Sequence, residues 1–401
     1  MLAHLALRSF RTCADTALNL APVTLLIGRN NSGKTNICQA LRFLSMSSTE
    51  ESLDEAARKL SIPPLEVATR YQRDVQTALY VEADLPFEGA ILRFRYRISI
   101  ASGDPGAAPG FILNVASESL HVRDGGTEWC LIERDGHRVT LLHERKAHNH
   151  HPDCLVQTTA PPRQTMLARL YDLDDNPRAN AFRNYILSWR YYSISADVIR
   201  QSRRARYDPF LSDDASNLAS VLYTLKSEDT RSFNRLVQLI REIEPSLETL
   251  NFVSPRPDEV FMEAEDSEGN RYGPDSLSDG TLNYMALCYV ALQGTVRTAR
   301  DTPRPGLIAF EEPERGLYVG HLRKFAEVLQ DAAKTQQIIL TTHNPYLIDL
   351  FEDHKEQVRL VHRGDHQLRD GTSVTTPDPA RLDDLLETFS LGDIYYRELL
   401  G

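Results

Sequence analysis

The chain has 401 residues, two or three domains' worth at roughly 100–200 residues each. It is 41% hydrophobic and 25% charged, with Gly 20 and Pro 21, which excludes a collagen-like chain, wholesale disorder and a disulfide scaffold. Lys+Arg 45 against Asp+Glu 56 leaves a net charge of −11, so any contact with nucleic acid must be a local basic patch.

At the start of the chain, Leu2–Leu7 is broken by His4 and meets Arg8, which is not the pattern of a signal peptide. Val23-Thr24-Leu25-Leu26-Ile27 is a continuous apolar run and predicts a strand buried on both faces. Gly28-Arg29-Asn30-Asn31-Ser32-Gly33-Lys34-Thr35 follows and satisfies G-x-x-x-x-G-K-[ST]. Ile37, Ala40, Leu41 and Leu44 then recur at helical spacing. Strand, loop and helix are the context in which this motif binds phosphate. The glycines let backbone N–H groups curl around an anion, Lys34 brings a point charge to the β/γ oxygens, and Thr35 offers a hydroxyl to Mg²⁺.

Next comes strict alternation. Leu79, Val81, Ala83 and Leu85 interleave with Tyr80, Glu82 and Asp84; Leu92, Phe94, Tyr96, Ile98 and Ile100 interleave with Arg93, Arg95 and Arg97. These predict half-buried antiparallel strands, continued over Phe111–Val122 and Trp129–Leu142, and a β-rich lobe over 70–145. Arg93, Arg95 and Arg97 either track a phosphate backbone or pair across strands with Glu82 and Asp84. His148, His150, His151 and Cys154 suggest a metal loop, but no second ligand cluster lies at zinc-finger spacing. Five cysteines without a CxxC suit a reducing cytoplasm.

Residues 165–250 read as a helical lobe, with Phe233, Leu236, Leu239, Ile240 and Ile243 at three- and four-residue intervals. Asp172-Leu173-Asp174-Asp175 reads as an acidic loop. Arg190, Arg200, Arg203, Arg204 and Arg206, beside Tyr191 and Tyr192, form the second basic cluster and are the candidate DNA contacts. Sustained heptads and internal repeats are missing, so no long coiled coil is expected.

Ser276-Leu277-Ser278-Asp279-Gly280-Thr281 precedes the apolar Leu282–Leu292, which is far short of the ~18 residues a membrane helix needs. Ser278 and Gly280 stand where that helix begins, so a hydroxyl, backbone N–H groups and the helix dipole face outward together. Gly306–Phe310 predicts a second buried strand ending in Glu311-Glu312-Pro313-Glu314. A strand delivering two carboxylates supplies one to hold a metal and one to polarise water. Ile338-Ile339-Leu340 predicts a third, leading to Thr341-Thr342-His343-Asn344-Pro345, where His343 is a candidate γ-phosphate contact.

In this order the motifs resemble those of an ABC-type ATPase of the SMC/RecF/OLD-like group, in particular its stand-alone AAA-type branch. The opening Leu5–Arg11 and Leu20-Ala21-Pro22 are similar to that group's first strands, and Asp214–Ala219, Leu277–Thr281, Glu311–Leu317, Thr341–Leu347 and Ser390–Asp393 match in kind. The resemblance spans both chain ends, roughly residues 1–45 and 190–401. It implies that Gly28, Asn30, Asn31, Ser32, Gly33, Lys34, Thr35 and Asn36 bind ATP, with Thr35 and Glu311 on Mg²⁺. It further implies Glu312 as catalytic carboxylate, His343 as switch histidine and Arg11 as a phosphate contact. Ser278 and Gly280 would bind the γ-phosphate held by a second copy, so that two chains sandwich two nucleotides. Three positions depart from the pattern: Glu311 replaces the usual Asp, Asp279 stands where transporter-type relatives have Gly, and Tyr318 where many have His. Gln201 is the candidate for a Q-loop.

The expected fold is α/β: an ABC-type P-loop ATPase head with a mixed sheet, built from 1–45 and 251–401. The β-rich and helical lobes are inserted between the phosphate loop and the Ser278 motif. The expected function is an ATP-binding and ATP-hydrolysing dimeric switch, DNA-associated and cytoplasmic, gating a partner effector such as a nuclease in DNA repair or anti-phage defence. Two rivals stand beside it. An OLD-like nuclease would need a metal-binding domain for which too few residues follow His343, and a transporter motor fits poorly with the long insertion and the Glu-Glu-Pro-Glu run.

Overall fold

In the computed structural model the described residues are 1–68, 76–102, 113–144, 155–170, 175–201, 208, 210–256, 259–293, 305–364 and 371–400. The histidine-rich loop at 148–154, the acidic 172–174 and Arg203, Arg204 and Arg206 lie outside them. The chain divides into two compact units: Met1–Ala21, Gly28–Trp189 and Arg359–Thr376 form one, and Pro22–Ile27, Arg190–Val358 and Pro377–Gly401 the other.

The first unit is organised by an antiparallel sheet. Its order among the described residues is Cys13–Asn19, Leu2–Phe10, Thr77–Phe87, Ala90–Ser102, Leu113–Asp124, Thr127–Asp135, Arg138–Leu142 and Leu155–Thr159. Alternation sets one face inward: Leu79, Val81, Ala83, Phe94, Tyr96 and Ile98 are buried. The helix Pro177–Leu187 lies on that face, with Phe182 stacked 5.5 Å from Phe94 and tilted 5.6 Å from Tyr96. Gly125 and Gly126, at φ 55° and 99°, make the two-residue turn joining Asp124 to Thr127; both sit in the left-handed region that a type I′ hairpin requires. Arg93 pairs with Asp84 at 2.8 Å, as expected across strands, whereas Arg95 pairs with Glu128 and not with Glu82 or Asp84.

Two boundaries differ from the expected lobe at 70–145. The sheet takes in both N-terminal strands and continues to Thr159. The last strand, Leu155–Thr159, is exposed along its whole length, so it carries no alternation to read.

The second unit is built on a parallel sheet in the order Arg190–Tyr192, Leu307–Glu311, Gln337–Thr342, Val23–Ile27. Val23–Ile27 and Gln337–Thr342 are buried at every position, as parallel strands covered on both faces must be. The helix Asp279–Leu292 is buried from Gly280 onward and is accordingly apolar on most of its circumference, with Thr281 and Asn283 as buried polar exceptions. The segment expected as one helical lobe is divided. Met166–Arg169 and Pro177–Leu187 belong to the first unit; Leu218–Glu228 and Thr230–Arg241 belong to the second. Between them Arg190–Tyr192 is a strand, too short to show a period.

Candidate nucleotide site

The phosphate loop leaves Ile27 and enters the helix Lys34–Ser47, whose Ile37, Ala40, Leu41 and Leu44 are buried as their spacing predicts. Asn31 at φ 65° and Gly33 at φ 111° turn the backbone left-handed, the geometry in which successive N–H groups converge on an anion. A Cβ on Gly33 would lie 2.1 Å from Thr372 Oγ1, and one on Gly28 2.3 Å from the Val361 carbonyl, so both positions exclude a side chain. Lys34 is buried, and its Nζ donates to the carbonyls of Gly28 at 2.7 Å and Arg29 at 3.1 Å. Ser32 Oγ is buried with no hydrogen-bond partner among the described residues. An unsatisfied hydroxyl beside a buried ammonium and a ring of amides fits phosphate oxygens.

Behind the loop lies a hydroxyl network. Thr372 Oγ1 donates to the Ser32 carbonyl at 2.9 Å and stands 2.8 Å from Thr12 Oγ1, which accepts from Asn36 Nδ2 at 2.6 Å. Arg11, at φ 50°, donates its guanidinium to Gln39 Oε1 on the helix that the loop opens. Asn30 is exposed, and Thr35 is half-buried in the first helical turn.

The parallel strands of the second unit end level with one another. Glu311 pairs with Thr341, and Thr342 with Ile27, the residue before the loop. Carboxyl ends of parallel strands are where α/β proteins place ligands. Glu311 accepts a hydrogen bond from the Tyr191 hydroxyl. Glu312 follows at φ 45°, its amide donating to the Thr341 carbonyl at 3.0 Å. Its Oε1 lies 2.9 Å from His343 Nδ1 and its Oε2 3.2 Å from Arg315 Nη2. Glu314 turns inward and is 6% exposed; it accepts from the Thr342 hydroxyl, while its Oε2 has no partner among the described residues. Burial pushes its carboxyl above the usual range, the Thr342 hydrogen bond opposing.

Ser278 caps the helix Asp279–Leu292, accepting from Thr281 N at 3.0 Å. A Cβ on Gly280 would lie 2.8 Å from the Gly316 carbonyl, and Asn283 Nδ2 donates to the Arg315 carbonyl at 2.8 Å. The capped helix and the turn after Glu312 are thus packed backbone to backbone. The charge at Asp279 is met by Arg200, Nη2 to Oδ1 2.6 Å, and the same group donates to the Leu277 carbonyl at 2.9 Å. Arg190 lies over the Phe210 ring at 4.4 Å, and burial lowers its pKa. Two of the five arginines expected on DNA therefore have protein partners.

Two families match. One described as "AAA ATPase domain" covers residues 1–85, and one described as "AAA domain, putative AbiEii toxin, Type IV TA system" covers residues 161–349. The "DNA replication and repair protein RecF" of Salinibacter ruber (strain DSM 13855 / M31) is 22% identical over 94% of this chain and 93% of its own length. A 55-residue stretch is 44% identical to the protein of the same name from Nocardioides sp. (strain ATCC BAA-499 / JS614), covering 14% of this chain and 13% of that one. Among solved structures, an SmcHead bound to the C-winged helix domain of ScpA has TM-score 0.55 at 12% identity, over 93% of this chain and 97% of that one. An Smc head domain with an extended coiled coil, bound to the C-terminal domain of ScpA derived from Pyrococcus furiosus, has TM-score 0.50 at 13% identity, over 96% and 98%. The chain is thus similar in sequence to AAA ATPase domains and to RecF proteins, and in fold to SMC heads.

Three contacts at this site leave no trace in the sequence. Tyr191 holds Glu311, Thr372 braces the phosphate loop, and Arg200 holds Asp279. Glu314 was visible as the last acid of its run, but nothing in the run separates the inward carboxylate from its outward neighbours. Thr372 has no local signal at all, since it reaches Ser32 across most of the chain.

Proposed function

We propose that the chain binds and hydrolyses ATP and acts as a dimeric, DNA-associated switch that gates a partner effector. The observation that carries the reading is the Glu312–His343 pair, set just beyond two strand ends level with the strand that delivers the phosphate loop. Lys34 and the amides of Asn30–Thr35 would hold the β and γ phosphates. The hydroxyl of Thr35 and the carboxylate of Glu311 are hard oxygen donors of the kind Mg²⁺ prefers. When bound there, Mg²⁺ neutralises charge developing on the phosphate oxygens. Glu312 takes a proton from water as its oxygen attacks the γ-phosphorus and the β–γ bridging oxygen leaves with ADP. His343 fixes the orientation of that carboxylate.

Ser278 and Gly280 would dock the γ-phosphate held by a second copy, closing two heads around two nucleotides. Asp279 brings a negative charge close to that docking position, and Arg200 pairs with it at 2.6 Å. Association with DNA is supported by the name that the similar RecF proteins carry and by the basic run at Arg203, Arg204 and Arg206. The effector is proposed as a nuclease acting in repair or defence.

Lys34→Ala tests the nucleotide reading. It should abolish ATP binding in a direct titration, and retained affinity would sink the assignment of the loop. Neutralising Arg203, Arg204 and Arg206 together should weaken DNA binding and flatten its salt dependence, leaving DNA-free ATPase activity intact. An unchanged salt titration would remove DNA from the proposal.

A further inference from the structure

We propose that His121, Cys130 and Glu133 form a surface site for a zinc-class divalent cation on the outer face of the antiparallel sheet. The cluster arises from a β-bulge. Leu113–Asp124 and Thr127–Asp135 pair with Leu120 opposite Ile132 and His121 opposite Cys130, so the second strand carries one extra residue. Leu131 and Ile132 consequently both turn inward and are buried. Cys130 and Glu133, which regular alternation would put on opposite faces, both turn outward beside His121.

The donor atoms of these three residues all lie within 4.8 Å of one another. Cys130 Sγ is 3.6 Å from Glu133 Oε2, and His121 Nε2 is 3.7 Å from the same oxygen. Zinc bonds of ~2.0–2.3 Å to nitrogen, oxygen and sulfur make tetrahedral edges of roughly 3.3–3.8 Å, so these two edges are near their ligated length. One thiol, one imidazole and one carboxylate form a borderline-soft donor set that favours zinc over magnesium or calcium. The other ring nitrogen, His121 Nδ1, lies 3.6 Å from Glu128 Oε1, and Glu128 is itself held by Arg95. A carboxylate behind the far nitrogen is the arrangement that fixes a ligating histidine with its Nε2 turned to the metal. Cys130 is a free, exposed thiol, whereas Cys13, Cys38 and Cys288 are buried. Three protein ligands leave the fourth position to water or to a partner's donor group. None of this depends on the ATPase reading.

The test uses the full chain, stripped with a chelator and free of nucleotide and Mg²⁺. Co²⁺ should produce a thiolate-to-cobalt charge-transfer band that one equivalent of Zn²⁺ abolishes. Cys130→Ala should remove the band, and His121→Ala or Glu133→Gln should weaken Zn²⁺ binding at least ~10-fold. In the unmutated protein, saturating Zn²⁺ should protect Cys130 from alkylation, read by peptide mass spectrometry, which needs no variant to fold. Lack of a band, a band that survives Cys130→Ala, or undiminished alkylation of Cys130 would each overturn the site.

Discussion

His343 Nδ1 lies 2.9 Å from Glu312 Oε1, joining the residues that immediately follow two adjacent parallel strands. Glu312 adopts φ 45°, a left-handed backbone that a non-glycine residue holds only when its surroundings impose it. Here the Glu312 amide is tied to Thr341 and the carboxylate to His343 and Arg315. The carboxylate is thus fixed from its backbone and from both oxygens.

Glu312→Gln keeps that shape and removes the proposed base. ATP affinity should be retained, while single-turnover hydrolysis falls by about 10²–10⁴-fold. An ATP-dependent dimer should accumulate, seen by size-exclusion chromatography with Mg²⁺. If Glu311→Gln trapped the dimer and Glu312→Gln did not, the two roles would be exchanged.

Ser278→Arg places a bulky cation where the second copy's γ-phosphate is proposed to dock. Nucleotide binding by each chain should persist, with dimerisation and hydrolysis lost. Mixing this variant with Lys34→Ala gives mixed dimers with one site doubly defective and one intact. Part of the hydrolysis that each variant lacks alone should return once subunit exchange is confirmed. Full activity of Ser278→Arg as a monomer would refute the sandwich.

Thr372→Val preserves volume but removes the hydroxyl between Ser32 and Thr12. Leaving the buried Ser32 carbonyl unpaired should cost about 1–3 kcal/mol. If the loop bears that cost, ATP affinity drops roughly tenfold or more, since 1.4 kcal/mol is a factor of ten. Calorimetric titration of ATP reads it, and wild-type affinity with unchanged stability would show that the brace is idle.

Glu314 gives a pH dependence of definite sign. Its carboxyl holds a proton more tightly in the native protein, chiefly through burial, than in the unfolded chain with its ordinary value of 4.5. Above that value the unfolded state releases the proton first, so this group's contribution to stability falls as pH rises to the native pKa. Glu314→Gln does not titrate. Thermal melts over the pH range should show wild type losing stability relative to the variant as pH rises. A relative gain with rising pH would reverse the assignment.

The elements legible in the residues are those specified by short-range rules. Val23–Ile27 is buried at every position and apolar at all but Thr24, because both its faces are covered. The loop after it needs glycine where Val361 and Thr372 approach, and Ser278 caps its helix through an amide three residues on. Period, spacing and capping act over a few residues, so they leave a local trace. Arg190–Tyr192 leaves none, being a three-residue strand made by its pairing with Leu307–Glu311. Thr372 reaches the phosphate loop, and Arg200 reaches Asp279, only after the chain has folded. At Cys130 and Glu133 a single extra residue reverses the alternation from which their faces would have been read. Pairing partners, buried polar bonds and bulges depend on residues distant in the chain, and packing in three dimensions selects them.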